Sequence, residues 1–140
     1  MTVMPAELLS AAVAVLAVIF IIYTVLNVGR ARGVSKIDAP ATSGHPTLDR
    51  AYRVQINTVE QAVVFFPLLW LATTYFHLLA WLPAVFGLIW VIGRFLYLQG
   101  YMAAPEKRSM GFMITALGTI GLLIMAIVGI VMTWIAVHAV

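Results

Sequence analysis

Four stretches of this chain are apolar enough to cross a lipid bilayer, and nothing else in the sequence limits the fold as strongly. The first stretch carries a single acid near its start, Glu7, and no base before Arg30. Each crossing takes roughly 20 residues. A chain of 140 residues therefore holds about four such helices with loops and leaves no room for a separate soluble domain. Only 9% of the residues are charged against 64% hydrophobic, and mean hydropathy is +1.06. Soluble domains are about 25% charged, so this chain cannot cover itself with a polar surface. A water-soluble enzyme, a nucleic-acid module and a secreted disulfide scaffold are all excluded. Cysteine is absent, which removes disulfides, thiolate metal sites and a cysteine nucleophile together. Any thiol chemistry would need a thiol brought by a ligand.

The periodicity and breaker residues predict helices over about residues 5–29, 47–76, 81–102 and 106–138, an all-α bundle forming a single domain over residues 1–140. The first stretch is too long for a signal-peptide core and reads as a retained helix. Pro67 falls inside the second helix, where a bend is expected although membrane helices tolerate proline. Seven of the eight cations (Arg30, Arg32, Lys36, Arg50, Arg53, Lys107 and Arg108) fall between or beside the apolar spans. They cluster in the first and third connections, while the second connection has none. Cytoplasmic loops carry the Lys/Arg excess, so both termini are expected to face the periplasm or a lumen. The net charge of +3 is thus explained by topology rather than by a nucleic-acid partner. Four antiparallel membrane helices with short links pack by default as a left-handed bundle.

The informative residues are the polar ones inside the spans, where ionisable side chains are costly and mark function. At about 100° per residue, Arg50, Arg53, Asn57, Glu60 and Gln61 share roughly one third of the second helix's circumference. Gln55 points away from that stripe. On the third helix Arg94, Tyr97 and Tyr101 share a face, and Lys107 and Arg108 open the fourth helix after Pro105. There the helix dipole adds positive potential. All these positions lie at the same end of antiparallel helices. The expectation is a cation-rich pocket with two phenols and one carboxylate, suited to a small anionic ligand because arginine pairs bidentately with carboxylates. Arg50 and Arg53 taken alone also look like headgroup anchors, but Glu60 and Arg94 sit too deep for that.

At these residues the chain resembles a known family, the membrane-associated proteins in eicosanoid and glutathione metabolism (MAPEG). The resemblance rests on the run from Arg50 to Glu60, RAYRVQINTVE in one-letter code, and the run from Arg94 to Tyr101, RFLYLQGY, followed by the basic position Arg108. The spacing of all four helices agrees. The chain looks most like bacterial members of the microsomal glutathione transferase and leukotriene synthase branch, as the run APATSG over residues 39–44 also suggests.

The resemblance implies a homotrimer in a bacterial inner membrane, with glutathione as cosubstrate bound between subunits near the cytoplasmic face. Carried over by position, Arg53, Asn57, Glu60, Arg94, Tyr97 and Tyr101 would hold glutathione, with Gln55 from the adjoining subunit. A basic residue ending the first helix also takes part; Arg30 and Arg32 both qualify, and Arg32 is favoured. Arg53 and Arg32 would pair with the two carboxylates and Glu60 with the ammonium. Arg108 matches the arginine credited with stabilising the thiolate. The thiolate would attack a hydrophobic electrophile arriving through the lipid, or reduce a lipid hydroperoxide. Two departures stand out: Gln61 replaces the aromatic that leukotriene synthases carry after the glutamate, and Pro105 is absent from the third loop of those relatives.

Other residues read as structural. His45, His77 and His138 have no ligand spacing, so no metal site is expected. Trp70, Trp81, Trp90 and Trp134 read as interface belts or packing. Gly118, Gly121 and Gly129, with Ser10, Ala14 and Ala17, permit close helix contact. Two other functions compete. A non-catalytic lipid- or glutathione-binding scaffold of the same family would not need Arg53, Glu60, Tyr97 and Arg108 together. A proton-coupled four-helix exporter would need a carboxylate in the middle of the first helix, and residues 10–23 hold no charge.

Overall fold

A computed structural model of the protein describes residues 5–139. It contains α1 (Pro5–Ser35), α2 (Pro46–Tyr75), α3 (Leu82–Ala103), a short 3-10 turn (Pro105–Arg108) and α4 (Ser109–His138). No strand occurs among the described residues. All four α-helices are long and apolar enough to cross a membrane, as expected of an integral multi-pass membrane protein. The end of α1, the start of α2, the end of α3 and the start of α4 lie together. Val28 and Ala31 pack on Leu48 and Ala51, Arg50 reaches the carbonyls of Met102 and Ala103, and a Cβ on Gly111 would meet the backbone of Tyr97. Consecutive helices are therefore antiparallel.

The core is a column of side chains from all four helices. Ala17, Phe65, Trp90 and Leu122 are completely buried in it. Phe65 and Trp90 stack with ring centroids 4.0 Å apart, an arrangement that adds about 1 kcal/mol to the area it buries. On α2 the buried positions Leu48, Ala51, Val54, Thr58, Ala62, Phe65, Leu69 and Ala72 recur at helical spacing. The closest approach is between α3 and α4. At Gly93 a Cβ would strike Thr115, and at Gly118 it would come within 2.9 Å of the Trp90 side chain. Small residues allow such contact between membrane helices. Gly121 abuts Phe86 and Gly129 abuts Tyr75 in the same way. Outward-facing residues such as Leu26, Val63 and Ile135 are apolar and exposed, which suits a lipid surround.

Two boundaries differ from the sequence expectation by more than one residue. The first helix runs to Ser35 instead of about residue 29, so Arg30 and Arg32 are helical and the connection shrinks to residues 36–45. A Cβ on either Gly29 or Gly33 would meet nothing within 4 Å, so these glycines are exposed helix positions rather than breaks. The true stop is Lys36, whose φ of 55° is the left-handed conformation common just past a helix end. The Ile37 N–H then closes on the Arg32 carbonyl at 3.3 Å. The second helix begins at Pro46, with His45 Nδ1 accepting the Thr47 N–H at 3.2 Å and proline at the first helical position. It passes Pro67 without a break.

The second of these differences is the start of α4, at Ser109 instead of about residue 106. Lys107 and Arg108 precede the helix in the 3-10 turn instead of forming its first turn. Ala104 is extended (φ −162°) and Pro105 follows it, a residue pair that favours a fresh start over a continued helix. The Lys107 N–H bonds the Ala104 carbonyl at 2.9 Å.

Candidate functional site

The common end of the four helices gathers most of the polar residues singled out from the sequence. At its centre is Arg94, on the face of α3 turned towards α2. Its side chain is wholly buried, at 0% exposure. Arg94 Nη2 donates to the Thr58 hydroxyl at 2.8 Å, and that hydroxyl donates to the Val54 carbonyl at 2.7 Å. Among the described residues neither Nε nor Nη1 of Arg94 has a hydrogen-bond partner. No carboxylate of the described residues offsets the charge; the Tyr97 ring does so in part, with its centroid 4.1 Å from Cζ, within cation–π range.

From Arg94 a ladder leads outwards. Tyr97 is buried, and its ring lies 5.5 Å from that of Tyr101, one turn further along α3. Above Tyr101 sits Arg108, its Cζ 5.6 Å from the ring centroid. The guanidinium of Arg108 is exposed at the start of α4. Two phenols thus separate a buried cation from an exposed one, from the interior of the bundle to its end.

The second polar row is on α2 and turns away from the bundle core. Arg53 and Glu60 are exposed, while Asn57, Gln55 and Gln61 are half-buried. Asn57 Nδ2 donates to Glu60 Oε2 at 3.5 Å, a long contact, and Asn57 Oδ1 is buried without a partner among the described residues. Ala51, Val54 and Thr58 bury themselves on the opposite side of the same helix, so the α2 row can present charge outwards.

Two cations of this end hold the protein's own backbone. Arg50 Nη1 donates to the carbonyls of Met102 and Ala103, both at 3.1 Å, where α3 leaves carbonyls unpaired at its end. Arg32 Nη1 donates to the Ala41 carbonyl at 2.6 Å and to that of Ile37 at 3.4 Å. It ties down the first connection and still has Nε and Nη2 to offer, because a guanidinium carries five donors.

The sequence reading did not single out Thr58, whose hydroxyl accepts from Arg94 Nη2. The signal was available: Thr58 is a polar residue in the buried repeat of α2. Of the other residues read as structural, His45 caps α2 and His138 stacks over Trp134 at 4.1 Å. Trp90 is core, whereas Trp70, Trp81 and Trp134 are exposed.

Comparison with known proteins places this arrangement. The MAPEG family model matches residues 10–128. The chain is 36% identical over 124 residues to microsomal glutathione S-transferase 2 of Homo sapiens, covering 83% of each protein. It is 35% identical over 123 residues to leukotriene C4 synthase of Cavia porcellus, covering 82% of this chain and 81% of that one. An uncharacterized Synechocystis protein is 39% identical over 120 residues, covering 86% of both. With the family model matching most of its length and the polar residues gathered at one end of four membrane helices, the chain belongs to the MAPEG family.

Proposed function

We propose that this protein is a membrane-bound glutathione transferase that activates glutathione as a thiolate and conjugates it to hydrophobic electrophiles. Its relatives named as a glutathione S-transferase and a leukotriene synthase support that reading at family level. The observation that carries it to this chain is the outward-facing row of Arg53, Asn57 and Glu60. At 1.5 Å per residue, α2 is about 45 Å long and Glu60 lies about 21 Å from its start. The apolar end of the helix fills most of the roughly 30 Å hydrocarbon layer, so Glu60 falls inside it. A carboxylate facing lipid at that depth is costly; covered by a second subunit around a polar ligand, it is not.

That need supports a homotrimer of left-handed bundles, each chain one domain, with three sites between subunits. Arg53 and Arg32 pair with the two glutathione carboxylates. Glu60 takes the ammonium; Asn57, Tyr97 and Tyr101 add hydrogen bonds, Gln55 comes from the neighbour, and Arg94 backs Tyr97. A free thiol of pKa about 8.5 is mostly protonated at neutral pH, and adjacent cations lower that value. Arg108, exposed above Tyr101, is the cation placed to do this. The thiol proton goes to solvent, the thiolate sulfur bonds the electrophilic carbon, and the leaving group or the displaced electron pair departs from that carbon. Lipid hydroperoxides are a second substrate class: the thiolate attacks the terminal peroxide oxygen, the O–O bond breaks to release the lipid alcohol, and a second glutathione displaces water to close the disulfide. The concentration of cations at the site's end supports a cytoplasmic site with both termini on the periplasmic side of a bacterial inner membrane.

Calorimetry of glutathione on detergent-solubilised protein, with Arg53→Ala as control, tests the reading together with turnover of chlorodinitrobenzene. Wild type should bind and turn over, and the variant should lose most of its affinity. Absence of binding to the wild type would leave the non-catalytic lipid-binding scaffold as the better reading.

A further inference from the structure

On the flank of the bundle, between the last turns of α1 and those of α3, a cavity of about 490 Å³ opens. Tyr23, Asn27 and Arg30 line it from one face of α1, and Leu98, Gln99 and Met102 from α3. None of these belongs to the glutathione site proposed above. We infer that this groove binds the headgroup phosphate of an anionic phospholipid, with Arg30 as the cation and the Asn27 and Gln99 amides as hydrogen-bond donors.

Three observations support the assignment. First, Arg30 is exposed and meets no acid or other hydrogen-bonding partner among the described residues, whereas Arg32 and Arg50 at the same level already hold carbonyls. Asp49, on the first turn of α2, is occupied with the Gly44 N–H at 3.1 Å. Second, Asn27 Nδ2 directs one of its two N–H donors at the Met102 thioether at 3.7 Å, a weak acceptor that a phosphate oxygen would displace. Third, the groove straddles the edge of the apolar run. Below it Leu26 and Ile22 are exposed apolar side chains that suit acyl chains, and Tyr23 stands at the boundary where aromatic belts form. Arg30 and Asn27 follow it at the level of the headgroups. The positive charge favours an anionic headgroup over a zwitterionic one, whose own ammonium would face Arg30.

The test is calorimetry of short-chain phosphatidylglycerol on the full chain in non-ionic detergent, against short-chain phosphatidylcholine and glycerol 3-phosphate, for wild type, Arg30→Gln and Asn27→Leu. Phosphatidylglycerol should bind wild type at least about tenfold tighter than phosphatidylcholine. A charge-assisted hydrogen bond is worth that factor, so Arg30→Gln should remove the preference. Asn27→Leu should weaken it less. Glutathione affinity should be unchanged in both variants. Equal binding of the two lipids, an undiminished preference in Arg30→Gln, or no lipid binding because a second copy closes the groove would each overturn the inference. Glycerol 3-phosphate binding as tightly as the lipid would assign the groove to a soluble phosphate instead. Loss of glutathione binding in Arg30→Gln would return Arg30 to the glutathione site.

Discussion

Arg94 is a cation buried among the helices and set against Tyr97 of the proposed site. Buried, with Nε and Nη1 unpartnered and no counter-charge among the described residues, it carries a desolvation cost that a hydrogen bond and a ring contact only partly offset. Replacing such a cation by an apolar side chain of similar length is often neutral or stabilising. Arg94→Met should therefore unfold within a few degrees of wild type or above it, while conjugation activity falls at least about tenfold because Tyr97 loses its support. A thermal scan beside an activity assay decides; a variant that collapses while its residual folded fraction stays fully active would show Arg94 to be purely structural. At the other end of the ladder, Arg108→Ala should leave glutathione bound but abolish the ultraviolet thiolate band of the complex. If the band persists, some other group lowers the thiol pKa.

At the scale of elements, the junction of α3 with α4 sets the site's geometry. Gly111 lets α4 start directly against the Tyr97 backbone, and Gly93 accepts Thr115. The obstacle to a Cβ at Gly111 is backbone, which cannot swing aside as a flexible side chain can. Gly111→Ala should lower stability by about 1–3 kcal/mol and also impair glutathione binding, since relief requires α3 to move Tyr97. Gly33→Ala, in open space on the exposed side of α1, should be neutral or slightly stabilising, because alanine restricts the unfolded chain. Denaturation of both variants in one detergent gives the contrast, and equal losses would contradict the packing described. The same reasoning applies to the N-terminus of α2, where His45→Ala removes the cap on Thr47 at a cost of about 1 kcal/mol.

For the whole molecule the decisive asymmetry is that α3 and α4 pack closely while α2 turns Arg53 and Glu60 outwards. A lone bundle would expose that charged row to lipid. Light scattering of the purified protein should give three chains per particle, and Glu60→Gln should keep that number while weakening glutathione binding. A stable monomer that binds glutathione with full affinity would refute a site built between subunits.

Much of this was legible in the residues themselves. Four apolar spans, their approximate ends and the one end that gathers the cations all follow from hydropathy and helical period, because lipid penalises every other placement of charge. The RAYRVQINTVE and RFLYLQGY runs carried the family. The tertiary structure decided what each polar group does. Arg32 and Arg50 look like Arg53 in sequence, yet they hold backbone carbonyls that only the folded connections bring within reach. Thr58 reads as an ordinary core threonine until α3 places Arg94 beside it. The end of α1 and the start of α4 moved because Lys36 adopts a left-handed turn and Ala104 is extended before Pro105. Hydropathy weighs each residue against lipid one at a time. Hydrogen bonds and charge contacts depend on which side chains from distant parts of the chain arrive at the same place, and that is settled only by the packing of the helices.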